Sequence, residues 1–142
     1  MSTPFIRKGY PAVTPYLIVE GASGLLDFIK NVFGAEEIIV MRMPDGGIAH
    51  ASVTLNGAVI ELSDANPNWP AIPASLHVYV PDTDATFKKA LDAGATILME
   101  PTDQFYGERS GSVKDSWGNQ WHIATMQEEL SNEEMVKRAP KG

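Results

Sequence analysis

The sequence predicts an α+β protein built from two tandem βαβββ modules, each a concave half-barrel sheet with its helix on the outer face. Three observations predict it. An amphipathic helical stretch follows a short apolar strand and precedes three strand-like segments, and the whole order then repeats. Glycines recur at matching places: Gly57 stands four residues before Glu61, and Gly118 stands four before His122. Finally, the strands alternate with a period of two, so each separates an apolar face from a polar one.

The elements follow in order. "VTPYLIV" (13–19) opens module one as a strand. Leu25, Phe28, Ile29, Val32 and Phe33 then recur at helical spacing, with Ser23 as the expected N-cap and Gly34 as the stop. "EEIIVMRM", "GIAHASVTL" and "AVIELS" supply three strands, the first two joined by a hairpin turn at "MPDGG". The connector "DANPNWPAIPA" holds three prolines and reads as extended. "SLHVYV" (75–80) opens module two, and a helix from Asp82 to about Ala93 carries Phe87, Ala90 and Leu91 on one stripe. "TILME", "ERSGSVKD" and "NQWHIAT" complete the repeat. Ser131-x-x-Glu134 starts a short, polar terminal helix over about 131–138. The expected organisation is one domain over 1–142: module one at about 10–64, connector 65–74, module two at about 75–126.

Composition narrows the function. No cysteine is present, which removes disulfides, thiolate metal sites and cysteine nucleophiles. The net charge of −7, with scattered Lys and Arg, argues against a nucleic-acid surface. No apolar run suits a signal peptide or a membrane span, so a cytoplasmic location is expected. Phosphate-cradling glycine loops, the Gly-x-Ser-x-Gly elbow and His-Glu-x-x-His are absent.

Sorting each strand by parity locates the chemistry. Val13, Leu17 and Val19 oppose Thr14 and Tyr16; Ala49, Ala51, Val53 and Leu55 oppose His50, Ser52 and Thr54. Ala58, Ile60 and Leu62 oppose Val59, Glu61 and Ser63, while Leu76, Val78 and Val80 oppose Ser75, His77 and Tyr79. In the last strand Trp121 and Ile123 oppose Gln120 and His122. One face is fit to hold a helix. The other collects all three histidines with Tyr, Ser and Glu and carries no lysine, which suits a half-buried ligand cavity.

The doubled module, "FIKNVFGAE", "TDATFKKALDAGA" and "YGERSGSVKDSWGNQWHIAT" together resemble the vicinal oxygen chelate superfamily of glyoxalase I, bleomycin-resistance proteins and extradiol dioxygenases. The likeness is greatest to its PhnB-like branch and covers about residues 10–138. It implies a homodimer with a small-molecule cavity. It also implies a divalent metal (Zn, Ni, Mn or Fe) held by side chains from the first and last strand of each half, serving a lyase, isomerase or dioxygenase. Carried onto this chain, the implied positions are Thr14, Glu61, His122 and either Ser75 or His77. Glu61, His77 and His122 are thus the candidate ligands, with Glu61 and His122 the candidate acid–base groups. Tyr16, His50, Tyr79, Tyr106, Arg109 and Gln120 are candidate substrate contacts. A metal-free alternative is a drug-sequestering cleft in which Tyr16, Trp69, Tyr79, Tyr106 and Glu61 hold a planar or cationic ligand. For Trp69 the competing expectation is packing within the connector.

Overall fold

A computed structural model describes residues 3–141, and the chain divides into two compact units, Met1–Pro73 and Ala74–Gly142. The first holds β1 (Tyr16–Val19), α1 (Ala22–Phe33), β2 (Glu36–Arg42), β3 (Ile48–Leu55) and β4 (Ala58–Asp64), in sheet order β1-β4-β3-β2. The second holds β5 (Ser75–Tyr79), α2 (Thr83–Asp92), β6 (Thr96–Asp103), β7 (Glu108–Lys114) and β8 (Gln120–Met126), in order β5-β8-β7-β6, followed by α3 (Asn132–Arg138). In both sheets the opening strand runs parallel to the closing strand, and the other pairs are antiparallel. The predicted repeat is therefore present strand for strand.

Each helix covers one face of its own sheet. Leu25, Leu26, Phe28, Ile29, Val32 and Phe33 of α1 are buried with Leu17, Val19, Val53 and Leu62. In the second unit Phe87 and Ala90 of α2 are buried with Val78, Val113, Trp121 and Ile123. Burying each such side chain favours folding by roughly 1.5–3 kcal/mol, so these faces hold the two sheets to their helices. Gly34 ends α1 in the left-handed region (φ 71) and its N–H reaches the Ile29 and Lys30 carbonyls.

Four local expectations need correction. Ser23 does not cap α1: the N-cap is Gly21, and the cap acceptor is Asp64 of β4. Its Oδ1 takes the Gly21 and Ala22 N–H groups at 3.0 and 2.8 Å, while Oδ2 takes Ile48 N–H at 2.6 Å. A carboxylate at a helix N-terminus satisfies orphan donors and meets the positive end of the helix dipole. Val13 is not core but 86% exposed, because β1 begins only at Tyr16. Pro15 has no N–H to give to a ladder and contributes its carbonyl to Glu61 N–H instead.

Ala49 leaves the apolar face. Met41 pairs with His50 and Arg42 with Ile48, so a bulge leaves Ala49 unmatched; Ile48 takes the fully buried place and Ala49 is exposed. The connector, lastly, is not simply extended. Asn66 and Trp69 exchange backbone hydrogen bonds at 3.0 Å, and Asn66 Oδ1 accepts from both Asn68 and Trp69 N–H at 2.9 Å. Asparagine side chains close turns in this way, and Pro67 fits the position that follows.

The "DSWGN" turn of the second unit is built around buried Asp115. Its carboxylate accepts from Trp117 N–H, Asn119 N–H, Asn119 Nδ2 and Trp121 Nε1 at 2.8–3.0 Å. At α3, Ser131 Oγ accepts the Glu134 N–H at 3.1 Å as the capping motif predicts, and no α3 residue is buried.

Candidate functional site: two polar open faces

The side of each sheet away from its helix carries the polar residues. In the first unit Tyr16 pairs with Glu61 across β1 and β4, and Glu61 pairs with Ser52 across β4 and β3. His50 lies in the middle of this group. Its Nδ1 is 3.3 Å from the Tyr16 hydroxyl, and its Nε2 is 3.2 Å from Ser52 Oγ and 3.4 Å from the Glu61 carboxylate. Tyr10, from the segment before β1, donates to Ser52 Oγ at 2.9 Å. Ser, His and Glu together have the composition of a hydrolytic triad but not its geometry. Glu61 and Ser52 meet the same ring nitrogen, and Ser52 is fully buried.

Three concavities flank this network, and the most voluminous, about 1100 Å3, is lined by Phe5, Ile6, Tyr10, Ile38, Met41 and His50. Another, of about 460 Å3, is lined by Tyr16, Ile18, Ala49, Ser63, Asn66 and Trp69. Trp69 is 65% exposed, so its ring is not packed into the connector as the competing expectation had it; the Asn66 turn displays it at the cavity. The connector is also fastened to β1 by Ile72 N–H on the Ile18 carbonyl at 3.1 Å. A third cavity, of about 410 Å3, brings Thr14 and Glu61 together with Tyr10 and Arg7.

In the second unit both ring nitrogens of His122 meet serine hydroxyls: Nδ1 with Ser112 at 2.7 Å and Nε2 with Ser75 at 3.0 Å. His77 is the register partner of His122, yet its Nε2 lies 3.9 Å from Glu108 and its ring stands edge-on to Tyr79 at 4.8 Å. The Tyr79 hydroxyl donates to Glu108. Glu108 as acceptor, then desolvation, then the carboxylate charge raise the Tyr79 phenol above its ordinary 10.0. Arg109 is engaged by Asp84 at 2.7 and 3.0 Å and by Asp103 at 3.1 Å, which hold its proton more firmly still. Tyr106 packs edge-on against Phe105 at 5.0 Å, and Gln120 is exposed.

Parity alone missed Ser112 and Glu108, although both share a face with Ser110 in "ERSGSVKD". Trp69 gave no periodic signal because its place depends on a turn, and parity put Ala49 on the wrong face because of the bulge.

Within neither unit do the described donors by themselves make a set that fits a retained divalent ion. Glu61 stands with His50 in the first unit, and His122 has both nitrogens engaged in the second. Thr14 and Ser75 offer hydroxyls, which are poor ligands beside carboxylate and imidazole. Among the described residues, no group of three or more His, Asp or Glu is placed to hold a metal.

The repeat, the two covered sheets and the polar open faces define a class, and sequence comparison agrees: the chain belongs to the Glyoxalase/Bleomycin resistance protein/Dioxygenase superfamily, whose profile matches residues 12–123. An uncharacterised protein of Mycobacterium bovis is 33% identical over 136 residues, covering 88% of this chain and 90% of its own length. Among solved structures, a PhnB protein from Bacillus cereus is similar at a TM-score of 0.64 and 24% identity, over 81% of this chain and 99% of that one. The fosfomycin resistance protein FosX from Listeria monocytogenes, crystallised with Mn(II) and sulfate, is similar at a TM-score of 0.65 and 18% identity, over 90% and 96% of the two chains. No helix among the described residues is long and apolar enough to cross a membrane.

Proposed function

We propose that this chain is a small-molecule-binding member of its superfamily that seats a planar aromatic ligand between Trp69 and Tyr16 without a catalytic metal. One observation carries the reading: a large indole held out from the protein by a closed turn, at a cavity whose other walls are Tyr16, Ile18 and Ala49. Uncovered apolar surface of this size is unfavourable in water by about 25 cal/mol per Å2. A ring that is already ordered by its turn loses little entropy when a ligand stacks on it. Ser63 and Asn66 add polar groups that orient the guest. Glu61 and the net charge of −7 favour a neutral or cationic ligand over an anion.

The test is a fluorescence titration with neutral and cationic planar aromatics, beside aliphatic controls of equal volume. Saturable quenching by the aromatics alone supports the reading, and no saturable binding of any of them sinks it.

We also propose a two-fold dimer, in keeping with the superfamily resemblance. The exposed apolar residues Ile38, Ile39 and Met41 on β2, and Ile97, Leu98 and Met99 on β6, support it. Light scattering that finds a stable monomer would contradict it.

A further inference from the structure

The hydrogen-bond directions around His50 bear on what the ligand must present. Glu61 can only accept, and it stands 3.4 Å from Nε2; Ser52 Oγ, at 3.2 Å from the same atom, accepts the Tyr10 hydrogen with one lone pair and has a second to offer. A neutral imidazole carries one N–H, and the carboxylate draws that hydrogen to Nε2. Nδ1 is then bare and can only accept. Its neighbour, 3.3 Å away, is the Tyr16 hydroxyl, whose single hydrogen is therefore directed at His50. What remains on the Tyr16 oxygen is lone-pair density, and Tyr16 lines the Trp69 cavity. Asn66, another wall residue, has its Oδ1 occupied by two turn N–H groups.

From this we infer that His50 is a positioning residue that makes Tyr16 a hydrogen-bond acceptor, so that the cavity selects aromatic ligands presenting an N–H or O–H donor. The inference rests on the aromatic-cleft reading above and specifies its ligand class. A ligand with a carbonyl or ether oxygen at that point meets lone pair against lone pair and leaves its acceptor unsatisfied, which is the costly outcome for a desolvated polar group. A ligand with N–H completes the chain from ligand to Tyr16 to His50, whose Nε2 lies beside Ser52 and the Glu61 carboxylate.

Carbazole, dibenzofuran and fluorene test it, since they share one tricyclic outline and differ only in a bridging N–H, O or CH2. At mildly alkaline pH the wild type is expected to bind carbazole about tenfold more tightly than dibenzofuran, the factor supplied by one net hydrogen bond. Tyr16→Phe is expected to level the two, and His50→Leu to narrow or reverse the order by releasing the Tyr16 hydrogen. The 15N spectrum of the wild-type histidines provides a readout that structural damage would not mimic: His50 should show a protonated Nε2 and a bare Nδ1. Equal binding of the tricycles, or a proton on Nδ1, overturns the inference while leaving the aromatic cleft standing. Failure of all three tricycles to bind removes the cleft itself, and the inference with it.

Discussion

The hydroxyl of Tyr79 on β5 donates to the carboxylate of Glu108 on β7, spanning β8, the strand between them. Ala124, the β8 partner of Tyr79, is fully buried although it shares the open face with His122. The two long side chains thus meet across β8, and the second sheet carries an acidic group next to a phenol and an imidazole.

This arrangement gives a pH signature. Glu108 raises the Tyr79 phenol above 10.0 in the folded chain by accepting its hydrogen bond and by opposing the phenolate charge. A group whose folded value is raised stabilises the fold fully below its unfolded value and loses that contribution as pH rises through the folded one. Stability should therefore fall as pH climbs past 10.0. Glu108→Gln keeps an acceptor but removes the charge, so the Tyr79 ionisation should move back toward 10.0 and the alkaline loss should become shallower. Phenolate absorbance and urea midpoints across the alkaline range measure both; an unmoved Tyr79 would count against the coupling.

Asp64 joins three backbone N–H groups from two segments, so its substitution should cost more than an ordinary surface change. Asp64→Asn loses the charge at the α1 N-terminus and leaves at least one N–H without an acceptor, an expected loss of about 1–2 kcal/mol. Asp64→Ala should lose about 2–4 kcal/mol. Ser23→Ala, at the site that sequence alone proposes for the cap, should change stability by less than about 0.5 kcal/mol. Urea denaturation at neutral pH ranks the three, and equal effects would place the cap elsewhere.

Trp69→Ala separates binding from folding. The side chain is mostly in solvent, so unfolding free energy should shift by no more than about 0.5 kcal/mol. Aromatic-ligand affinity should fall at least about tenfold with the stacking surface gone. Trp121→Ala should do the reverse, since that ring is fully buried and bonded to Asp115: a loss of about 3–5 kcal/mol is expected.

Protein reloaded with Zn(II), Ni(II), Mn(II) or Fe(II) and then desalted should retain no stoichiometric ion, with Glu61→Gln and His122→Ala behaving like the wild type. Elemental analysis checks this. A one-to-one ion lost in both variants would restore the metal-dependent reading.

The repeat, the helix stripes and the facing of Glu61, His50, His77 and His122 were legible because period 3.6 and period 2 are local properties of a chain. The capping motif at Ser131 and the turn ending at Gly118 were legible for the same reason, as their partners lie within a few residues. Ser23 misled because helix ends accept any suitably placed oxygen, and the better one arrives from Asp64, forty-three residues beyond Gly21. Ala49 misled because parity assumes an unbroken ladder, whereas a bulge is decided by how two strands pair.

By itself, then, the sequence determined the doubled α+β architecture and which residues share a face, since side-chain alternation and amphipathic spacing depend on neighbours along the chain. Only the tertiary structure decided that His50 stands beside Glu61, that Ser75 and Ser112 occupy His122, and that Trp69 opens onto a cavity. Those outcomes depend on strand register, one bulge and one closed turn, which bring together atoms that no local period relates.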